Sequence, residues 1–155
     1  MTPGEIAALL TEKFGSRVLE SKPDAINPWS AVEPSAILEI AQFVRGDARL
    51  SMDHLELLGG VDYRDRIEVV YILFSMTQRH RYTLKCRLPR EAPTIHTVES
   101  VWGVGNWHER EAYDMFGIIF EGHSDLRRIL CPDDWEGYPL RKDYKFPTSY
   151  RDMPV

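Results

Sequence analysis

Cysteine is nearly missing from this sequence. Cys86 and Cys131 are the only two in 155 residues, too far apart for a Cys-x-x-Cys element and too few for an iron–sulfur cluster or a zinc site closed by thiolates. Free thiols in a reducing compartment are the expectation. A surplus of basic charge is lacking too: 19 Lys and Arg stand against 24 Asp and Glu, a net charge of −5. Binding a polyanion needs a clustered cationic surface that releases counterions, so nucleic acid is excluded as a partner. Long apolar runs are absent as well. The most apolar stretch, Val69 to Phe74, is about one third of the roughly 20 residues that span a bilayer. The opening MTPGEIAALL has neither the basic start nor the cleavage site of a signal peptide. The chain is expected in the cytoplasm, touching a membrane only through partners.

What is present suits one packed domain, with 43% hydrophobic and 11% aromatic residues. Thr2-Pro3-Gly4-Glu5 has the form of a capping box with proline at the first helical position. Ile6, Leu9, Leu10 and Phe14 follow as one apolar stripe, and Gly15 can close the helix. Short extended pieces are predicted around Arg17 to Leu19 and Asn27 to Val32; Pro28 confines the second to an edge or a bulge. Pro34 starts a second helix, whose Ile37, Leu38, Ala41 and Val44 recur at helical spacing up to Gly46. From Ser51 to Leu88 the pattern turns to strands: HLELLGGV, IEVVYILFSM and RYTLKCRL read as an antiparallel meander with the apolar middle strand inside. This order predicts an α+β fold, a two-layer sandwich with helices on one face of a mixed, largely antiparallel sheet, carrying an extended C-terminal arm. The chain divides into an α+β core over residues 1–90, a linker and charged helix over 91–117, and an extended partner-binding arm over 118–155. Within the linker, HTVESVWG has room for one or two helical turns.

The stretch GNWHEREAYDMFGI, Gly105 to Ile118, crowds charge among aromatics. Asn106 suits an N-cap with Glu109 three residues on, so a helix is predicted over Trp107 to Phe116 with Gly117 as its stop. At about 100° per residue its apolar groups cover most of the circumference, and His108, Glu109 and Glu111 fall inside that arc. Buried ionisable groups must be paired or carry a large desolvation cost. Arg110 and Asp114, one turn apart, form the first expected pair; partners for Glu109 and Glu111 must be Arg or Lys from elsewhere, in this chain or another. Rival chemistry is weaker. HEREA places Ala112 where a His-Glu-x-x-His zinc helix needs its second histidine. A metal site from Glu109, Glu111, Asp114 and His123 requires acids that the helix points in different directions. Gly103 and Gly105 form a G-x-G without the rest of a dinucleotide fingerprint.

From Gly117 onward no periodic segment survives the interruptions at Gly122, Pro132, Gly137, Pro139, Pro147 and Pro154. The aromatics Phe120, Trp135, Tyr138, Tyr144, Phe146 and Tyr150 are too many for a solvated tail. Trp, Tyr and Arg dominate protein–protein hot spots, and Arg127, Arg128 and Arg141 alternate with acids. The preferred expectation is an arm docked on a protein partner; the alternative is an arm folded back over its own sheet.

HEREAYDMFGIIFEGHSDLRRIL followed by PDDWEGYPLRKDY resembles the signature of the C subunit of the bacterial NADH–quinone oxidoreductase, the 30 kDa subunit family of respiratory complex I. The resemblance runs over nearly the whole chain. Ser124 departs from it, standing where proline is common and weakening the expected turn after His123. The resemblance implies a peripheral-arm subunit on the cytoplasmic face of the inner membrane, packed against the D subunit and neighbouring subunits near the quinone end of an electron path from NADH. It implies no catalytic centre and no cofactor in this chain, the flavin and iron–sulfur clusters being held by partner subunits. The same scaffold role could serve a membrane-bound hydrogenase or a dehydrogenase fed by another donor. The charge network and interface are expected at Glu109, Arg110, Glu111, Asp114, His123, Arg127, Arg128, Trp135, Arg141, Lys142, Asp143 and Tyr144.

Overall fold

The computed structural model describes residues 1–151, 153 and 154. Helix α1, Pro3–Phe14, begins with the reciprocal cap the sequence predicts: the Glu5 amide donates to Thr2 Oγ1 at 3.3 Å, and the Thr2 amide donates to the Glu5 carboxylate at 2.7 Å. Strands β1, Val18–Lys22, and β2, Trp29–Val32, follow. Pro34 opens a short 3-10 turn that feeds helix α2, Ile37–Gly46. Strands β3, His54–Asp62, β4, Arg66–Phe74, and β5, Arg81–Pro89, form the antiparallel meander. The sheet order is β1-β2-β5-β4-β3, with β2 parallel to β5 and every other pair antiparallel. It is the mixed, largely antiparallel sheet of an α+β sandwich.

Ile6 and Leu10 of α1, Ile37 and Ile40 of α2, and Tyr71, Leu84 and Cys86 of the sheet share one core. Tyr82, Leu84, Cys86 and Leu88 alternate inward along β5, as their period of two requires. Leu55 and Leu58 both face the core although three residues apart, because a bulge between Leu55 and Leu57 resets the alternation. The expectation that Pro28 confines its strand to an edge is corrected. β2 lies inside the sheet, and Pro28 sits just before it, where its missing amide costs no ladder bond and its carbonyl accepts from the Thr83 amide at 3.0 Å.

The segment read as a linker is structured. Strand β6, Thr94–His96, pairs in parallel with β7, Ile119–Glu121. The helical turn foreseen in HTVESVWG is present: Val101 and Trp102 donate their amides to the Val98 carbonyl, both at 2.9 Å. Trp102 then anchors the turn by donating Nε1 to the Met52 carbonyl at 2.9 Å. Helix α3 runs Gly105–Phe116 and ends at Gly117 in the left-handed conformation, φ 73°. Its start corrects the sequence reading, since Val104 precedes the first turn and no side chain caps it. Asn106 lies inside the helix, with Nδ2 committed to Glu99 at 2.7 Å.

α3 comes close to β3. A Cβ built on Gly60 would stand 2.6 Å from Phe116 Cδ2 and 3.1 Å from Ile118 Cδ1. Gly60→Ala should therefore displace the Phe116 ring and destabilise the fold by roughly 1–3 kcal/mol of overpacking, outweighing the about 0.5–1 kcal/mol gained by removing a strand glycine. Urea unfolding of the variant checks this; a midpoint equal to or above that of the parent chain would contradict the close approach.

Candidate functional site

Helix α3 carries three acids, and the fold treats each differently. Asp114 is fully buried. Its Oδ2 accepts three successive amides, Ile129 at 3.0 Å, Leu130 at 2.7 Å and Cys131 at 2.8 Å, while Oδ1 accepts from the Arg128 guanidinium at 2.6 Å. Burial pushes its pKa up, but the Cys131 amide, Arg128 and the other two amides outweigh it and hold the carboxyl below the usual range. Arg128 also donates to the carbonyls of Asp114, Trp135 and Gly137, at 3.2, 2.9 and 2.9 Å. One ion pair thus gathers three points of the C-terminal segment onto the helix.

Glu109 is also fully buried. It accepts from the Val98 amide at 2.7 Å and from Thr97 Oγ1. Here burial is the largest influence and raises the pKa to about 7, with the Thr97 and Val98 bonds opposing it. His123 lies alongside, Nε2 3.8 Å from Glu109. That imidazole donates Nε2–H to the Asn106 carbonyl at 3.1 Å and accepts the Asp125 amide on Nδ1 at 2.9 Å. Its Nε2–H is thus directed at the Asn106 carbonyl rather than at Glu109. The expectation that Glu109 is paired by Arg or Lys is corrected: a hydroxyl and an amide hold it.

The predicted pair Arg110–Asp114 does not form either. Arg110 is buried over the Trp107 ring, 5.0 Å from its centroid, and donates to the carbonyls of Arg127 at 3.3 Å and Arg128 at 3.4 Å. Its nearest carboxylate is Asp125, at 3.9 Å. The expectation that Glu111, the third acid, is buried is corrected: it is exposed, and its carboxylate is bonded to no described residue. The four groups weighed as a metal site are thereby kept apart in role, and among the described residues no three His, Cys, Asp or Glu side chains gather as a ligand set.

The C-terminal segment is the main correction to the sequence reading: as far as Asp143 it is strapped to the chain's own α3 and β3. Phe120 is buried. Leu140 donates its amide to the Met115 carbonyl at 3.1 Å, and Arg141 donates Nε to the Phe116 carbonyl at 2.7 Å while stacking on Tyr138. Tyr138 in turn packs against Gly117, where a Cβ would stand 2.5 Å from the ring. Lys142 contributes its backbone, whose amide donates to Asp62 Oδ2 at 2.8 Å. Asp143 pairs with Arg90 at 2.7 Å. The Arg127 side chain is exposed and bonds only Asp125, while its carbonyl accepts from Arg110. Trp135 packs against Tyr150 with tilted rings and Tyr144 meets Phe146 edge to face, both within the strap's distal part, where Ser149–Tyr150 and Met153–Pro154 form the short pair β8 and β9.

Sequence reasoning missed Asp62, Arg90, Thr97 and Glu99. Asp62 accepts from Arg90, from the Lys142 amide and from the Arg64 amide at 2.7 Å; burial opposes its charge, but these donors hold it at about 2. The only local signal was the Asp–x–Arg turn form at Asp62 and Arg64. Glu99 accepts from Asn106, from the Ser124 amide at 2.9 Å and from Ser124 Oγ at 3.1 Å. Ser124, expected to weaken its turn, is hydrogen-bonded at both groups.

A two-layer α+β domain with its C-terminal segment laced to one buried polar helix defines the structural class. Residues 30–150 match the family described as respiratory-chain NADH dehydrogenase, 30 Kd subunit, and the chain belongs to that family. It is 48% identical over 99% of its length to the C subunit of NADH-quinone oxidoreductase from Chloroherpeton thalassium, and spans 65% of that relative's length. It is 43% identical over 95% of its length to the C subunit of the same enzyme from Chlorobium phaeobacteroides, spanning 91% of that chain. Among solved structures it resembles a trypsin-resistant fragment of Nqo5, with a TM-score of 0.65 and 29% identity over 81% of this chain and 100% of the fragment. A chain of an archaeal membrane-bound sulfane sulfur reductase shares the fold, with a TM-score of 0.74 and 24% identity over 94% of this chain and 86% of that one.

Two outcomes follow from this network. Asp114→Asn leaves the Arg128 guanidinium half-answered in a mostly buried setting, so it should cost roughly 3–5 kcal/mol and open the strap to proteolysis after residue 117 while the sheet stays folded; limited proteolysis with mass mapping reads this. Glu109 sets a pH dependence of opposite sign to that of Asp114. Its folded pKa lies above the unfolded value of 4.5, so its contribution is complete below that value and is lost as pH rises through about 7. Glu109→Gln should flatten the fall in stability across that window, as thermal unfolding at a series of pH values will record.

Proposed function

We propose that the chain is a non-catalytic peripheral-arm subunit of a proton-translocating NADH–quinone oxidoreductase, bracing the D subunit and its neighbours near the quinone end of the electron path. It sits at the cytoplasmic face of the inner membrane and is attached there through its partners. Flavin and iron–sulfur clusters belong to those partners, and this chain carries no cofactor. Its relatives bear the name of the C subunit of NADH-quinone oxidoreductase, and no helix among the described residues is long and apolar enough to cross a membrane.

One observation carries the reading. The strap turns its polar atoms inward onto α3 and leaves large apolar groups outside: Trp107 is 60% exposed, Leu130 63% and Phe146 66%. Large exposed apolar groups carried by the strap and by its helix support a protein-binding surface on this side of the chain. Burying them against the D subunit removes apolar area from water, while the bonds beneath hold them in fixed positions so that little order is lost on docking. In this arrangement Arg110 and Asp114 act through the strap they hold.

Replacing Trp107 and Leu130 together by Ala should leave the unfolding temperature of the chain nearly unchanged. Recovery of the D subunit with the tagged chain should fall at least about tenfold. Recovery at the parent level would refute this surface as the contact.

A further inference from the structure

Between β3 and α3 lies a cavity of about 170 Å³ lined by Leu58, Gly59, Gly60, Ala112, Met115, Phe116 and Leu140, with Glu111 the only ionisable group among its lining residues. Gly60, without a side chain, lets the Phe116 ring close one side of it. Leu140 is fixed there by the bond of its amide to the Met115 carbonyl. Small-molecule sites usually measure about 300–1,000 Å³, so this volume suits a single long side chain. Glu111 is the unclaimed acid of the helix. Asp114 is answered by a guanidinium and three amides, and Glu109 by a hydroxyl and an amide, whereas Glu111 has no partner among the described residues and is exposed.

An apolar hollow with one free carboxylate is complementary to a side chain that is apolar along its stem and cationic at its tip. We propose that this hollow receives a lysine or arginine of a neighbouring protein subunit, its stem against Leu58, Met115 and Leu140 and its cation on Glu111. The inference rests on the reading of the chain as an assembly subunit and names the chemistry of one of its contacts.

The test labels carboxyl groups with a carbodiimide and a small amine, on the free full-length chain and on the intact complex purified through it. Glu111 should be modified in the free chain and protected in the complex. In parallel, Glu111→Lys should lower recovery of the partner holding the cation about thirtyfold, whereas Glu12→Lys on α1, with the same change in charge, should leave recovery unaltered. Unchanged unfolding temperatures for both variants show that the chain still folds. A complex that contains the D subunit but has Glu111 labelled as in the free chain overturns the inference and leaves the functional reading standing. Glu111 protected in an assembly without the D subunit supports the inference and defeats that reading. Equal losses with Glu111→Lys and Glu12→Lys reduce the effect to net charge and overturn the inference.

Discussion

The contact on which the rest depends is the Asp114 carboxylate, buried under the strap with three amides on one oxygen and Arg128 on the other. A carboxylate buried without donors would neutralise or unfold its surroundings. Provided with four donors, it becomes a fixed charge around which an otherwise irregular segment takes one shape. Arg128 extends that order outward to Trp135 and Gly137, and Arg141 and Asp62 repeat the device further along. The strap has almost no regular secondary structure between Glu121 and Ser149. Side-chain-to-backbone bonds supply what a sheet ladder would otherwise provide.

Much of the fold was legible because it rests on local chemistry. The Thr2–Glu5 cap, the period of two along β5 and the stop at Gly117 are each written within a few residues, and each appears as read. The failures share a different character. Pro28 looked like an edge marker because sequence does not say which strand will lie beside its own. Asn106 looked like a cap because Glu99 and Ser124, which take its side chain, come from other segments. Arg110 and Asp114 looked like a pair because one turn separates them, yet donors from a distant stretch fit Asp114 better than its neighbour does.

The strap was harder still. Its composition pointed to a segment that lies on some surface rather than in solvent, but composition does not name that surface. The structure assigns Tyr138, Arg141 and Asp143 to the chain's own body and turns Trp107 and Leu130 outward. The two alternatives drawn from the sequence therefore need not compete: one face of the segment serves its own helix, and the other is left open for the partner proposed above. Asp62 and Glu99 escaped because each collects donors from places widely separated along the chain.

The two buried acids of α3 differ in where their donors lie along the polypeptide. Glu109 is answered by Thr97 and Val98, which precede it; Asp114 is answered only by Arg128 to Cys131, which follow. A chain emerging N-terminus first can complete the first group as the helix forms, but must keep the second wet until later residues leave the ribosome. The sheet and α1 can therefore pack before the end of α3 receives its donors, and that end is closed by the segment that follows it in the chain.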